Sequence, residues 1–348
     1  VSGRSRSACH GLVGPGVKKT VSLALQGGGA HGAFTWGVLD RLIEDGRLGF
    51  EAITGASAGA MNAVVMADGW LKGGPDGARE ALAAFWRHVS LDGDLSAQQR
   101  RLFDMVFNVW SSSNPVVDFW RGTLSPSQAN PLDINPLRDV LRSLVDFERL
   151  RKADVRLFVS ATEVRTGKVR IFETQELREE HILASACLPT IFRSVEIDGE
   201  AYWDGGYTAN PAIYPLFYKT AADDVVLVQI NPIERAGVPT DMADIQNRLS
   251  EITFNGNLLG ELRAIDFVAR LIDQGKLSRD EYKRALMHRI EGGEAIAEYV
   301  ASTRLRADWD FFQRLRDIGR DAASAWLDAH YAAIGHRSTL DLRKAAYS

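Results

Sequence analysis

The sequence predicts an α/β fold, a parallel sheet with helices on its faces. Two consecutive strand–loop–helix units near the start, and further strand-like apolar runs downstream, carry that prediction. Residues 21–26 (VSLALQ) are mostly apolar and end at three glycines, as a short buried strand does. From Gly32 the apolar positions Phe34, Val38 and Leu42, with Leu39 and Ile43, recur at helical spacing, and Gly46 suits the helix end. Residues 50–57 (FEAITGAS) repeat the strand pattern and residues 58–69 (AGAMNAVVMADG) the helical one. A strand–loop–helix opening repeated in this way is the signature of parallel strands joined by crossover helices.

The remaining elements follow in order. Residues 70–150 read as mainly helical, with loops at Gly-Gly-Pro (73–75) and at 111–115, and the segment 130–145 has a proline suited to a first helical turn. Residues 155–164 and 168–174 are strands separated by Thr166-Gly167, a hairpin signal. Another apolar strand covers 224–232. Beyond 240 the patterns are amphipathic and helical to about 335. The expected organisation is a disordered leader at 1–20, a catalytic domain at 21–240 and a helical C-terminal extension at 241–348.

Composition narrows the function. The 348 residues carry 41 Lys and Arg against 45 Asp and Glu, a net charge of −4, which gives no electrostatic footprint for nucleic acid. Two cysteines, Cys9 and Cys187, make neither a disulfide framework nor a metal cluster, which fits a reducing compartment. The first twenty residues are broken by Gly, Ser and Pro and form no signal peptide, and no run of apolar residues is long enough to span a bilayer. A cytoplasmic protein is expected, with any membrane contact peripheral.

The chemistry concentrates in the two strand-to-helix loops. Gly55-Ala56-Ser57-Ala58-Gly59 is a G-x-S-x-G motif, in which glycines on either side let a serine stand on a sharp, strained turn. The helix that follows adds its positive end, favouring a developing oxyanion. The alternative is that Ser57 only caps that helix. The first loop, Gly27-Gly28-Gly29 with Gly32, also satisfies the dinucleotide spacing G-x-G-x-x-G. A dinucleotide site needs an acid at the end of the second strand. Asp45 and Glu51 come too early, and Ser57 occupies that place. Loops at the carboxyl ends of neighbouring parallel strands face one crevice, so the glycines can instead present N–H donors above Ser57.

A serine nucleophile needs a proton acceptor. His288, His330 and His336 sit in charged, helical or tail-like surroundings and read as surface residues. His181 and His88 read as helix-face residues, and His10 lies in the leader. The better candidate is Asp204 in Tyr-Trp-Asp-Gly-Gly-Tyr, where Gly205 and Gly206 describe a tight loop that presents a carboxylate. A water-poor pocket raises the basicity of such a group. Its alternative role is that of a simple turn acid.

Together the Gly-rich loop, the G-x-S-x-G, the later D-G-G and the segment 184–192 (ASACLPTIF) resemble the patatin-like acyl hydrolases and phospholipases. The resemblance covers about residues 20–232. It implies a three-layer α/β/α sandwich with a mostly parallel sheet, and a Ser57–Asp204 dyad without a catalytic histidine. It also implies oxyanion donors from Gly27, Gly28, Gly29 and Ala58, lipid acyl esters as substrates, and no metal or organic cofactor. Two departures stand out: many members have an arginine where this chain has His31, and Gln26 replaces an acid of plant members. His31 is expected to pack structurally, the alternative being a pH-sensitive role. An esterase with a Ser-Asp-His triad and a non-catalytic lipid-binding protein are the competing functions.

Aromatic residues cluster at Phe85, Trp86, Phe103, Phe107, Trp110, Phe119 and Trp120, and Leu102, Phe103, Val106, Phe107 and Trp110 share one helical face. They are expected either as core or as a cap that shapes an acyl pocket. The amphipathic stretch 245–272 either covers the catalytic domain or makes a homo-oligomer contact.

Overall fold

A computed structural model of the chain describes residues 11–90, 135–299, 303–304 and 306–347. Among these residues, β1 (Lys19–Leu25), β2 (Leu48–Ala56), β3 (Arg156–Glu163), β4 (Val169–Glu173), β5 (Val195–Ile197), β6 (Glu200–Asp204), β7 (Asp224–Gln229) and β8 (Leu286–Glu291) form one sheet. Its order is β5-β6-β3-β2-β1-β7-β8, with β4 paired to β3 off that path. The β3–β2–β1–β7–β8 pairings are all parallel, and β4, β5 and β6 add antiparallel pairs at one edge.

The helices are α1 (Gly32–Asp45), α2 (Ala58–His88), α3 (Pro136–Leu144), α4 (Phe147–Lys152) and α5 (Glu179–Ser185), followed by α6 (Pro215–Lys219), α7 (Met242–Asp273), α8 (Gly293–Ala297), α9 (Trp309–His330) and α10 (Leu342–Tyr347). Gly46 ends α1 in the left-handed conformation at φ 71°, and Gly73 and Gly74 break α2 where a loop is expected.

Alternation along the strands builds the three layers. Leu23 and Leu25 of β1 and Val226 and Val228 of β7 enter one core with residues of α1, α2 and α9. Ala24, Val225 and Leu227 enter a second core, on the other face, with Leu258, Leu262 and Ile265 of α7. Strands buried on both faces are continuous apolar runs, which is why residues 21–26 and 224–232 read as strands without a polar alternation. The stretch 245–272 therefore covers the sheet.

Two expectations about the ends of the domain are corrected. Leu12, placed in the leader, is buried and exchanges backbone hydrogen bonds with Phe50 at 2.9 and 3.0 Å. A lone leucine among glycines and a proline gives no periodicity to read. The C-terminal region is mostly helical, but β8 within it extends the parallel sheet beside β7. In addition, α9 lies on α1 so closely that a Cβ on Gly37 would strike the Arg316 carbonyl, and one on Gly319 the Phe34 carbonyl.

Candidate active site

The sheet register brings the motif residues to one level. Leu25 pairs with Gly55 and Ala56 with Ser160, while Ala161 pairs with Asp204 across the antiparallel edge. Gly27 and Ser57 thus follow the carboxyl ends of β1 and β2, and Asp204 closes β6 on the far side of β3, over strands spaced by about 4.8 Å.

Ser57 stands on the turn between β2 and α2 at φ 52°, ψ −123°, outside the regions that a non-glycine residue ordinarily occupies. It holds the N-cap position of α2, yet its side chain makes no capping hydrogen bond. The hydroxyl is thus free of the role that would make it merely structural. The flanking glycines are sterically required: a Cβ on Gly59 would enter the Leu25 carbonyl, and one on Gly55 would lie 2.7 Å from the Gly59 backbone.

Asp204 is wholly buried at the end of β6. Its Oδ1 accepts the Gly206 N–H at 2.7 Å, so the turn-acid role is real but engages one oxygen. Oδ2 is buried without a hydrogen bond of regular geometry. Burial pushes the carboxyl up to about 7, against the lowering effects of the Gly206 N–H, the Ser57 hydroxyl and the Arg304 charge. The Ser57 hydroxyl is therefore near enough to favour the ionised carboxyl without closing a regular hydrogen bond to it.

The donor set differs from the expected one at Gly27. Its N–H is bound to Asn210 Oδ1 at 2.6 Å, and it does not line the pocket. The reason is its position level with Ser57, where Asn210 and Asn231 clamp it: the Asn231 side-chain amide donates to the Gly27 carbonyl at 2.7 Å. Gly28, Gly29 and Ala58 do line the pocket, and they stand at helix starts, where N–H groups lack intrahelical partners.

Several further residues support the site, in roles that their sequence neighbours do not indicate. Ser185 of α5 accepts the Ser57 N–H on its Oγ at 2.9 Å. Gln26 Oε1 accepts the N–H groups of Ile230 and Asn231, and its amide donates to Asn255 of α7. Glu261 of α7 accepts the N–H groups of Ile213 and Tyr214, beyond Asn210, and burial raises its carboxyl to about 7. Both clamping asparagines precede prolines, in Asn210-Pro211 and Asn231-Pro232, which is the one signal the sequence offered for them.

The histidines lie elsewhere. Among the described residues, none lines the pocket that holds Ser57 and Asp204. His288 is a correction to the surface assignment: it is fully buried in β8, where its Nε2 meets Asp224 Oδ1 and its Nδ1 meets Thr339 Oγ1, each at 2.9 Å. Two strands, β1 and β7, separate it from β2. His31 packs as expected: it is buried, its Nε2 meets the Thr303 hydroxyl at 2.7 Å, and burial together with Arg304 and Arg235 lowers it to about 3.

The pocket has a volume of about 280 Å³ and a predominantly apolar wall, including Met61, Phe85, Trp86, Ile191, Phe192 and Phe312. Phe85 and Trp86 are thus both core and pocket wall. Phe103, Phe107, Trp110, Phe119 and Trp120 lie outside the described residues. No described helix is long and apolar enough to cross a membrane.

A family model described as patatin-like phospholipase matches residues 23–217, more than half of the chain. No curated protein matches. VipD from Legionella pneumophila aligns at 17% identity over 94% of this chain and 72% of its own, with a TM-score of 0.42. Full-length ExoU, in complex with SpcU from the type III secretion system of Pseudomonas aeruginosa, aligns at 15% identity over 93% of this chain and 59% of its own, with a TM-score of 0.34.

Proposed function

The chain belongs to the patatin-like phospholipase family, and from that premise we propose that it is a serine hydrolase of lipid carboxyl esters working through a Ser57–Asp204 dyad. One observation carries the reading: a strained serine hydroxyl with no capping duty stands level with a buried carboxyl whose second oxygen lacks a regular partner.

In the proposed cycle the Asp204 carboxylate takes the Ser57 proton as Oγ attacks the ester carbonyl. The carbonyl oxygen becomes an oxyanion held by backbone N–H groups of Gly28, Gly29 and Ala58. As the C–O bond to the alcohol breaks, Asp204 returns its proton to the leaving oxygen. A water, deprotonated by the same carboxylate, then attacks the acyl-serine, and as the acyl C–O bond breaks Asp204 returns that proton to Ser57 Oγ and the fatty acid is released. A carboxyl near pH 7 in affinity serves both directions, since a catalyst is most effective when its pKa lies near the working pH. The apolar wall beside Ser57 accommodates the acyl chain.

The test is a panel of lipid esters compared between the native chain and Ser57→Ala, together with labelling by a fluorophosphonate probe. Labelling at Ser57, and loss of hydrolysis in the alanine variant, are expected. Undiminished hydrolysis by Ser57→Ala would end the proposal, and lipid binding without turnover would favour the non-catalytic alternative.

A further inference from the structure

The pocket contains a cation that the dyad does not use. Arg304, from the region beyond the matched family segment, lines the same cavity as Ser57 and Asp204. Its backbone carbonyl fills the space a Cβ on Gly29 would need, so it is built against the Gly-rich loop. Among the described residues its guanidinium bonds neutral oxygens: Nη1 donates to Ser250 Oγ at 3.1 Å and Nη2 to Asn231 Oδ1 at 2.5 Å. Its Nε–H is buried and has no partner.

A buried guanidinium is ordinarily matched by a carboxylate. Here the neighbouring carboxylate, Glu251, is already engaged by Arg235 at 2.6 Å and Arg248 at 3.1 Å. Arg306, also on the pocket wall, is engaged by Asp308 at 2.9 Å. Among the described residues, Arg235, Arg248 and Arg304 stand against Glu251 and Asp204, one cation more than the carboxylates even when Asp204 is ionised. An unsatisfied donor and an unbalanced charge together call for an anion, and a guanidinium fork suits phosphate oxygens.

We propose that Arg304 is a specificity residue that receives a phosphate ester group carried by the substrate itself, so that acyl esters of phosphorylated glycerol are preferred to uncharged acyl esters. This rests on the ester-hydrolase reading of Ser57 and Asp204. The support given to Asn231, and through it to Gly27, is a positioning role of the same side chain, and it affects every substrate alike.

The experiment measures kcat/KM for 1-palmitoyl lysophosphatidylcholine and for 1-palmitoylglycerol in the same detergent micelles, with the native chain, Arg304→Gln and Arg304→Lys. The discrimination ratio between the two substrates is the readout, because weaker folding or a displaced Asn231 lowers both rates together. Arg304→Gln is expected to lower the ratio roughly 30-fold, the scale of a lost charge-assisted hydrogen bond, with partial recovery in Arg304→Lys. An unchanged ratio overturns the proposal, whatever the absolute rates. Should the native chain cleave neither ester, the hydrolase reading fails, and binding of the uncleavable ether analogues decides Arg304 separately. Preference for the phosphate-bearing ether, lost in Arg304→Gln, supports the assignment, and equal affinity overturns it. Inorganic phosphate added to the 1-palmitoylglycerol reaction separates the sources. No inhibition ties recognition to the lipid headgroup, whereas inhibition with an unchanged ratio reveals a free-anion site and overturns substrate recognition.

Discussion

The hydroxyl of Ser185 accepts the backbone N–H of Ser57 at 2.9 Å, and both residues are buried. The Ala-Ser segment before the D-G-G thus holds the strained turn on which the proposed nucleophile stands. The N–H it binds is one that would otherwise be buried without a partner.

Ser185→Ala removes that acceptor. It is expected to destabilise the protein by about 1–3 kcal/mol, the penalty of an unsatisfied buried donor, and to lower kcat about tenfold or more as Ser57 loses its fixed orientation. Urea unfolding and ester kinetics on the same sample test both. A stable, fully active alanine variant would mean that the turn is held by other contacts.

Asp204 gives a pH profile with a defined sign. Its folded-state carboxyl is raised from 3.8 to about 7. The base form is lost below that value, so kcat/KM should rise tenfold per pH unit up to about 7 and then level. The same shift makes the folded state bind more protons than the unfolded one between 3.8 and 7. Stability is therefore greatest below that window and falls as pH rises through it. Asp204→Asn should abolish hydrolysis while raising stability at pH 8, by up to the order of 4 kcal/mol, as read from thermal melts at pH 4 and pH 8. Equal melting differences at both pH values would contradict this.

His288 separates the dyad from a triad. Replacing it with alanine leaves Asp224 and Thr339 short of a partner and should cost about 2–4 kcal/mol of stability. The folded fraction should keep its kcat and its fluorophosphonate labelling. A folded His288→Ala protein without activity would restore the triad.

Ending the chain at residue 240 tests the domain division. It strips β8 from β7, uncovers the core under α7 and removes Arg304. Insoluble or unfolded protein is expected from small-scale expression. A soluble, active 1–240 fragment would make the C-terminal region a separate unit.

Much of the site was legible in the sequence because it is local. The glycines around Ser57, the helix after it and the acid before Gly205 are each a short string with one steric reason. The β3–β4 hairpin was legible for the same reason, since Thr166-Gly167 lies between its strands. What escaped reading was long-range. Arg304 meets the Gly-rich loop across 275 positions, and nothing beside it in sequence marks it. The donor lost at Gly27 depends on Asn210, which only the register of β1 against β2 and the fold of the D-G-G loop bring near. The sequence of β8 reads as helical because Arg289 and Glu291 interrupt its apolar pattern, while Leu286, Met287, His288 and Ile290 are buried. Burial of His288 is intelligible only once Asp224 is beside it.

The contact of α1 with α9 through Gly37 and Gly319 also has a consequence in time. The helix that follows the Gly-rich loop leaves the ribosome well before its packing partner, which is made some 280 residues later. At ordinary rates of synthesis the interval is tens of seconds. Throughout it the apolar face of α1 and the loop at Gly29 lack the surfaces that hold them in place. The proposed centre therefore stays incomplete on the nascent chain until the segment that carries Arg304 and α9 has been made.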